Sequence, residues 1–465
     1  MRGAERPDDD QRPPPEQRLA IFPLPGLCFV AASAENTIVG CAVAHVGAAL
    51  TRTAAFPACV VVVACVFSCL PTRALAQSDP NAPSASQVKV RFGPILMNPA
   101  VTFGNVGVDE NVFNESTNPK RDFTLTVSPK TTVWLPFLGT WFTGVVNEDI
   151  VWYQTYASER SGNNTYSLNW KLPLTRVTVN TFASHTSTHE RPGFEIDTRA
   201  QRSQNSYSAA IGFVFLTSTS LDFTASQDLT HYDEAATFDH VNLHDQLNLT
   251  TTSIAVGLSK KVTPLTTASF SVSRKQDRFP FNPSRDVDAT QAGLALKFDA
   301  VALLKGSFSV GYLKLSPLFP DIVPGFSGLT LAANLSYTLY DATKITFKAD
   351  RAVQNSYDIA TPYYVQTGFN LEIAQVVLGR FDVVGRGGLE HLDYRDRADG
   401  LDQANDTTAR LRGTDRVVTY GVGIGYHLGR ATRIGVNYDR TRRESMLESH
   451  RYERPNIGTS VTYDF

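Results

Sequence analysis

Histidine pairs are the first residues in this sequence that could bind a metal ion. His185 and His189 are four residues apart, and so are His240 and His244. On a helix, this spacing puts two imidazoles on one face, as in many zinc sites. Both pairs fall in predicted loops or strand ends, and zinc needs three or four ligands in fixed geometry. We therefore predict solvated histidines, with no resident metal and no cofactor.

Three other patterns could carry chemistry, and each has a simpler interpretation. Asp239 and Asp245 flank the second histidine pair, and a weak cation site in a surface loop is the alternative there. Ser184 and His185 suggest a serine hydrolase, but adjacent residues of a strand point to opposite faces and cannot pair as nucleophile and base. The glycines of 421–425 lie mid-strand with no helix after them, so they do not form a nucleotide-binding loop. Their lack of side chains leaves one face of the strand without bulk. We predict that the protein is not an enzyme.

Charged side chains on the polar faces of predicted strands are stronger functional candidates. They either pair with one another and only hydrate an interior, or form a charged constriction that selects ions. Both signs occur, so the sequence predicts no strong selectivity. By strand parity the candidate pore-lining residues are Arg380, Asp382, Arg386, Glu390, Arg433, Lys344, Lys348 and Asp350, with Lys297, Asp299, Glu372 and Asp439 in similar positions.

Arginine replaces lysine in the last quarter of the chain. No Lys follows Lys348, whereas arginines are frequent in the polar stretches 395–416 and 440–454. A guanidinium binds carboxylate or phosphate in a bidentate fork. Internal salt bridging is the favoured interpretation of these arginines, and pairing with lipid phosphates or acidic sugars is the alternative.

Composition limits the elements that can position these residues. Of 465 residues, 42% are hydrophobic and 19% are charged, and the formal net charge is −2. This near-neutral balance excludes a strongly basic nucleic-acid-binding protein. From residue 77 onward no run approaches the roughly 20 apolar residues of a membrane-spanning helix.

Strict alternation of apolar and polar residues dominates the chain from Gln87 onward. In 418–428, for example, Val422 and Ile424 alternate with Gly423 and Gly425. This period of two is typical of strands that are apolar on one face only. About eighteen such segments follow residue 92, and short connectors alternate with long polar ones, as in outer-membrane barrels.

Soluble all-β folds explain the pattern less well. A β-propeller should repeat a Trp or Gly-His motif about every 40 residues, but the four Trp residues cluster between 134 and 170. A soluble sheet needs a second layer over its apolar face. Since hydrocarbon offers no hydrogen-bond partner to a free sheet edge, strands facing lipid must close into a barrel. We predict an all-β, antiparallel, up-and-down transmembrane barrel of about 18 strands (16–18), with short periplasmic turns and long extracellular loops.

The N-terminal part differs from the rest. All five cysteines precede residue 70, which excludes a thiolate site in the body of the chain. The apolar run 56–70 is followed by Pro71 and by an A-x-A signal at 74–76, in the order of a secretory signal peptide. A buried core strand and a lipoprotein signal are the alternatives. Fifty residues precede this signal, which suggests an over-extended gene start.

Two stretches resemble known outer-membrane proteins. The chain ends on Phe465, in phase with Tyr463 and Val461, and this is similar to the C-terminal strand that the barrel-assembly machinery reads. The segment 93–113, with Val-Asp-Glu-Asn-Val-Phe at 108–113, resembles the opening of the putative β-barrel porin 2 family. In that family the same stretch reads Tyr-Asp-Asp-Asn-Val-Phe. The piece 128–136 is similar to the family's second strand.

The resemblance implies a barrel in the bacterial outer membrane. We expect a disordered or over-extended segment at 1–50, a signal peptide at 51–76, a short periplasmic segment at 77–91 and the barrel at 92–465. The expected function is passive, porin-like diffusion of small hydrophilic solutes. An export barrel for an envelope polysaccharide, or a non-conducting structural barrel, are the alternatives. The expected partners are outer-membrane lipid and lipopolysaccharide, the barrel-assembly machinery and the solutes, without nucleic acid.

Overall fold

The computed structural model describes residues 82–83, 87–299, 302–398, 413–429 and 432–464 of the chain. The expected segments 1–50 and 51–76 lie outside these described residues, as does the C-terminal residue.

Within the described ranges the chain forms eighteen long strands. Strands β1 to β9 are Ile95–Asp109, Asp122–Phe137, Thr140–Tyr153, Ser161–Pro173, Val177–Glu190, Ala200–Leu216, Thr219–Tyr232, Leu249–Thr263 and Thr266–Arg278. Strands β10 to β18 are Val287–Phe298, Leu304–Pro317, Phe326–Leu339, Thr343–Asn355, Tyr363–Val377, Phe381–Arg395, Thr414–Leu428, Thr432–Glu444 and Tyr452–Asp464.

The other elements are small. A short strand, Val90–Phe92, pairs with the start of β1, and a small hairpin joins Thr237–Phe238 to Val241–Asn242. Helix α1 is Leu243–Leu247, and single 3-10 turns occur at Ala157–Glu159, Pro283–Arg285 and Glu448–His450. In the described part of the chain, no helix is long and apolar enough to cross a membrane.

Every long strand pairs antiparallel with its neighbours in sequence, and β1 pairs with β18 to close the barrel. The closing pair contains a bulge between Phe103 and Val106, which bends the strand at the seam. A Cβ at Gly107 would lie 1.9 Å from the carbonyl oxygen of Ile457. Glycine at this position therefore allows the two closing strands to approach. The predicted closed barrel of 18 strands is confirmed.

The two faces of each strand differ as the alternation predicts. On β16 and β17 the outward Val422, Ile424 and Val436 are 61%, 62% and 55% exposed. The inward positions between them are Gly423 and Asn437, which pair in register. The same division into an apolar outward belt and a polar interior continues around the sheet, so the core of this molecule is its lumen and not a sandwich between layers.

The two ends of the barrel carry different connections. At one end, here called the short-turn end, links such as Leu138-Gly139 and Leu378-Gly379 have two successive positive φ angles, the geometry of tight hairpin turns. At the opposite end, the long-loop end, the connections are longer and contain all the 3-10 turns and α1. The predicted alternation of short turns and long loops is confirmed.

The strands extend further at the long-loop end than the sequence pattern predicts. The expected loop 183–205 is reduced to 191–199, and the expected loop 440–454 to 445–451. Alternation disappears where both faces of a strand meet water, while backbone pairing continues. The sequence pattern therefore overestimates the length of these loops where a strand carries polar residues on both faces.

Candidate functional site

One side of the barrel interior combines small and charged side chains. A cavity of about 580 Å³ lies against β8 to β13. Its lining includes Ser253, Ser271 and Gly311 together with Lys275 and Asp277. Hydroxyl groups both donate and accept hydrogen bonds, and Lys275 pairs with Asp277 at 3.0 Å, so this wall offers polar groups to a solute.

Charged clusters also line the interior along β15 to β17, and the first forms around Asp382. Arg433 donates from Nε and Nη2 to the two carboxylate oxygens of Asp382 at 2.7 and 2.5 Å. His427 Nε2 lies 2.8 Å from the same carboxylate. A Cβ at Gly425 would lie 2.5 Å from both Arg433 Nη2 and Asp382 Oδ2. The strand face formed by the glycines of 421–425 carries no side chains, as the sequence predicts, and therefore leaves room for this ion pair.

A second cluster forms around Arg386, further along the same strands. Arg386 Nη2 donates to Asn437 Oδ1 at 2.8 Å, and its Nε lies 3.5 Å from Asp439 Oδ1. Gly421 and Gly423 make room for this cluster. A Cβ at Gly421 would lie 2.1 Å from Asp439 Oδ1, and a Cβ at Gly423 would lie 2.3 Å from Asn437 Oδ1. Both lumen arginines predicted from β15 and β17 thus have carboxylate partners.

Glu390 is held by amides instead of by a cation. It is 3% exposed, and it accepts hydrogen bonds from Gln366 Nε2 and Asn370 Nδ2, both at 3.2 Å. Gly368 lies in register between Asp350 and Glu390. These two predicted lining acids therefore share one row of the sheet, on the interior side.

Arg380 is placed differently from the sequence prediction. It was expected on the same strand as Asp382, but β15 begins at Phe381 and Arg380 lies in the turn before it. Its carbonyl oxygen accepts from the backbone of His427 at 2.8 Å. The tight turn with positive φ at Leu378 and Gly379 includes Arg380, so the alternation of β15 begins one residue later than parity alone suggests.

Four exposed, inward lysines lie at the short-turn end and are here called the lysine collar. Lys261, Lys297, Lys305 and Lys344 each lie within two residues of the short-turn end of β8, β10, β11 or β13. All four are exposed. None has a carboxylate within ion-pairing distance among the described residues. Lys348, higher on β13, is also exposed and lies in register between Asn334 and Asn370.

The long-loop end of the lumen is narrowed by loop 191–199, which connects β5 and β6. Glu195 of this loop accepts a hydrogen bond from Ser356 Oγ at 2.6 Å and one from the backbone of Tyr357 at 3.3 Å. Ile196 is buried in an apolar cluster with Tyr232, Leu243 and Tyr357. Ser356 and Tyr357 belong to the loop between β13 and β14, eight strands from β5 and β6 in the barrel order, so loop 191–199 extends across the mouth.

A buried arginine anchors this loop to the barrel wall. The side chain of Arg443, on β17, is 0% exposed. It donates to Asp197 Oδ2 at 2.6 Å, to Asp415 Oδ2 at 2.5 Å and to the carbonyl oxygen of Glu195 at 3.0 Å. Charge-assisted bonds of this length are among the strongest in proteins, so the loop is firmly held.

Arg285 plays a similar part from the loop between β9 and β10. It donates to the carbonyl oxygens of Ser356 at 2.8 Å, Pro362 at 2.6 Å and Gln246 at 2.8 Å. Burial lowers the pKa of Arg285 to about 10, because desolvation disfavours the charged form. Three loops of the mouth are therefore joined through one guanidinium that is still charged at neutral pH.

The stretch that carries the family resemblance lies at the barrel seam. Asp109 is fully buried and accepts from Arg454 Nε at 3.0 Å and from Tyr153 Oη at 3.3 Å. Asn111 donates from Nδ2 to the carbonyl oxygen of Glu453 at 2.9 Å. These contacts join the end of β1 to the start of β18, so the motif serves barrel closure.

The histidines do not form a metal site in the described residues, where no group of three or more His, Cys, Asp or Glu could hold an ion. His185 lies within β5, stacks on Tyr166 and contacts Asn205 at 2.8 Å. His189 lies near the end of β5. His244, in α1, contacts Asp245 at 3.0 Å, which is one of the two predicted acidic neighbours.

The remaining predicted residues of that loop are separated by its hairpin. His240 and Asp239 occupy a tight turn with positive φ, and Asp239 accepts from Tyr357 Oη at 3.4 Å.

Ser184 pairs in register with Ser167, and His185 with Tyr166. Serine and histidine therefore sit on opposite faces of β5.

The predicted assembly signal lies on the outward face of β18. Val461 pairs in register with Phe103 and Ile434, and Tyr463 pairs with Val101 and is 42% exposed. Phe465 lies outside the described residues.

Sequence reasoning missed several charged residues of the lumen. Lys261 and Lys305 share the inward parity of their strands, so alternation could have found them. Arg443 has the same parity as Arg433 but was assigned to a loop. Arg285 and Asp197 lie in loops, where no periodicity indicates direction.

Comparison with known proteins agrees with this architecture. The family profile described as Putative beta-barrel porin 2 matches residues 83–465. No curated protein matches the sequence. Among solved structures, the chain is similar to Pseudomonas aeruginosa OpdQ, with 9% identity, a TM-score of 0.41 and coverage of 79% of this chain and 97% of that one.

Two further structures are similar to the same extent. A BenF-like porin from Pseudomonas fluorescens Pf-5 has 8% identity, a TM-score of 0.43 and coverage of 80% and 99%. The outer membrane channel DcaP of Acinetobacter baumannii has 12% identity, a TM-score of 0.40 and coverage of 83% and 99%. The barrel is a porin-like barrel of the outer membrane, in an environment of membrane lipid and lipopolysaccharide. The chain belongs to the Putative beta-barrel porin 2 family.

Proposed function

We propose that the barrel is a passive diffusion channel for small hydrophilic solutes and that it favours anions. The observation that carries the preference is the lysine collar at the short-turn end, which is the periplasmic end. Its four lysines are exposed and unpaired among the described residues. Rings of Lys or Arg are a common basis of anion preference in pores.

The other lumen charges contribute less to this preference. Arg433 is neutralised by Asp382, and Arg386 lies beside Asp439. A paired charge has a weak field at a distance, whereas an unpaired charge in a narrow passage raises the local concentration of counter-ions. The paired lining residues Asp382, Arg386 and Arg433 are therefore proposed to shape and hydrate the lumen.

The extracellular mouth supports a limit on solute size. Loop 191–199 crosses the interior and is anchored to Arg443 and Ser356. The cavity wall of β8 to β13 offers the hydroxyl groups of Ser253 and Ser271 to any polar solute. We propose that a solute passes between the loop and this wall, so that small solutes are favoured.

The rival functions gain less support from the lumen. An export barrel for an acidic polysaccharide should have a lumen dominated by one sign of charge, whereas inward residues of both signs line this one, as at Lys348 and Asp350. An enzyme needs a nucleophile beside a base, and Ser184 and His185 occupy opposite faces. We propose a channel without catalytic activity.

Liposome swelling tests this function. Refolded protein is reconstituted into liposomes, and swelling rates are compared for small anionic, neutral and cationic sugars of matched size. We expect swelling with all three, fastest for the anion. Protein-free liposomes are the control. The absence of swelling with folded barrel would contradict the channel and favour a structural barrel.

Export and assembly are proposed from the chain termini. We propose cleavage after Ala76, which N-terminal sequencing of outer-membrane material should show as a chain beginning at Gln77.

We also propose that Phe465, Tyr463 and Val461 form the signal for the barrel-assembly machinery. Deletion of Phe465 should lower the amount of heat-modifiable barrel, and an unchanged amount would contradict this role.

A further inference from the structure

Four cations lie on the outward face of the barrel, in its extracellular half. They are Arg274 and Arg278 on β9, Lys314 on β11 and Arg351 on β13, here called the outer cationic patch. Arg274 and Lys314 are exposed, whereas Arg278 and Arg351 are half-buried.

Strand register shows where this patch begins. Arg274 and Lys314 both pair with Thr290, so the three lie in one row across β9, β10 and β11. Two residues closer to the periplasm, the same faces carry Val272 and Tyr312, which are 43% and 53% exposed. The outward face thus changes from apolar to cationic within one step of alternation, which is where headgroups replace hydrocarbon in an outer-membrane barrel.

The patch has more positive than negative charge. Asp288 is the acid on this outward face of β10, and Arg274 and Arg278 bind its two oxygens at 2.9 and 2.6 Å. Arg278 also approaches Asp286 of the adjoining loop at 3.8 Å. Lys314 has no ion pair in the described part of the chain. Arg351 donates to the carbonyl oxygen of Leu329 at 3.1 Å and to Thr367 Oγ1 at 2.8 Å, and so lacks a carboxylate.

Another sector of the same rim is mostly balanced. The outward arginines of β15 and β17 have acidic partners, namely Asp393 for Arg395, Glu453 for Arg440 and Glu444 for Arg442. The favoured interpretation of these arginines, internal salt bridging, therefore agrees with their contacts. Among the described residues, the exposed Arg416 of β16 has no carboxylate within ion-pairing distance. The larger excess of positive charge is found in the sector from β9 to β13.

We propose that the outer cationic patch binds the phosphates of lipid A in the outer leaflet. Phosphate oxygens form short, charge-assisted bonds to guanidinium and ammonium groups. The acyl chains of the same molecule would lie along the apolar belt directly below Arg274 and Lys314. This inference depends on the outer-membrane location and is independent of what the lumen conducts.

Native mass spectrometry of the full barrel in detergent tests the proposal. Bis-phosphorylated lipid A, its dephosphorylated form and phosphatidylglycerol are titrated separately. The variant R274Q/K314Q/R351Q is compared with wild type and with the matched control R395Q/R440Q/R442Q. Heat-modifiability verifies that each variant is folded.

We expect lipid A to bind wild type and the control with similar affinity and the patch variant about a hundredfold more weakly, because each basic residue near an anionic lipid contributes roughly fivefold. Equal binding of lipid A to wild type and the patch variant would overturn the proposal. So would equal binding of the dephosphorylated lipid or of phosphatidylglycerol to wild type. Two-chain complexes that disappear only in the patch variant would assign the surface to a second copy of the chain instead.

Discussion

The extracellular mouth and the lysine collar use charge in opposite ways. At the extracellular end Arg443 is fully buried and bound to Asp197 and Asp415. At the periplasmic end Lys297 and Lys344 are exposed and have no acidic partner among the described residues. A buried charge must be neutralised locally, because desolvation is costly. A solvated charge needs no partner, so its field is available to a passing solute.

This difference separates structure from transport. The extracellular charges hold loops to the wall and define the shape of the mouth. The periplasmic lysines hold nothing together and can act on ions. The following substitutions test the division, beginning with the largest expected effect on stability.

Removal of the buried arginine should be the most damaging change. R443M leaves Asp197 and Asp415 buried without their cation, which is expected to cost about 3–5 kcal/mol of unfolding free energy. The neighbouring R442M, on the outward and exposed side of β17, is the matched control and should cost less than about 1 kcal/mol. Urea unfolding in detergent or lipid measures both. Similar losses for the two variants would show that Arg443 does not anchor the mouth.

Loss of one loop anchor should loosen the mouth without unfolding the barrel. E195Q weakens the hydrogen bonds to Ser356 and to the backbone of Tyr357, an effect of about 1–3 kcal/mol for a buried charged acceptor. Hydrogen exchange in 191–199 should accelerate, while exchange in the strands stays unchanged. The exposed Glu448 gives the control E448Q, which should alter neither. Unchanged exchange in E195Q would mean that other contacts hold the loop.

A methyl group beside the Asp382–Arg433 pair should have a smaller effect. In G425A the new Cβ would meet both members of the pair at 2.5 Å, and displacement of these side chains should cost about 1 kcal/mol. Gly385, on the outward face of β15, has nothing within 4 Å of an added Cβ. G385A should therefore be nearly neutral. Comparison of the two unfolding midpoints tests whether the glycine face exists to accommodate the ion pair.

The sequence predicted the barrel because alternation is strong where one strand face meets lipid. Val422 and Ile424 could be assigned outward, and Asp382 and Arg433 inward, from parity alone. Parity cannot tell which inward charges are paired, since pairing depends on register between strands. The contact of Arg433 with Asp382 across the intervening strand β16 is of this kind.

The extracellular mouth could not be predicted for a different reason. Loop 191–199 has no periodicity, and its partners Ser356 and Arg443 are distant in sequence. Arg443 was assigned to a loop because polar residues occupy both faces of β17 near its end. In this region the structure follows from long-range hydrogen bonds, which leave no local pattern.

The reversal potential under a KCl gradient tests the central claim most directly. The collar variant K261Q/K297Q/K305Q/K344Q is compared in planar bilayers with wild type, with R386Q/R433Q and with K260Q, whose lysine is exposed on the outward face beside Lys261.

We predict anion preference in wild type and K260Q, a small change in R386Q/R433Q, and a clear shift toward cations in the collar variant. The shift should be largest at low salt, because the Debye length increases from about 10 Å at 0.1 M to about 30 Å at 0.01 M. An unchanged reversal potential in the collar variant, or a larger shift in R386Q/R433Q, would contradict the division between paired and free charges.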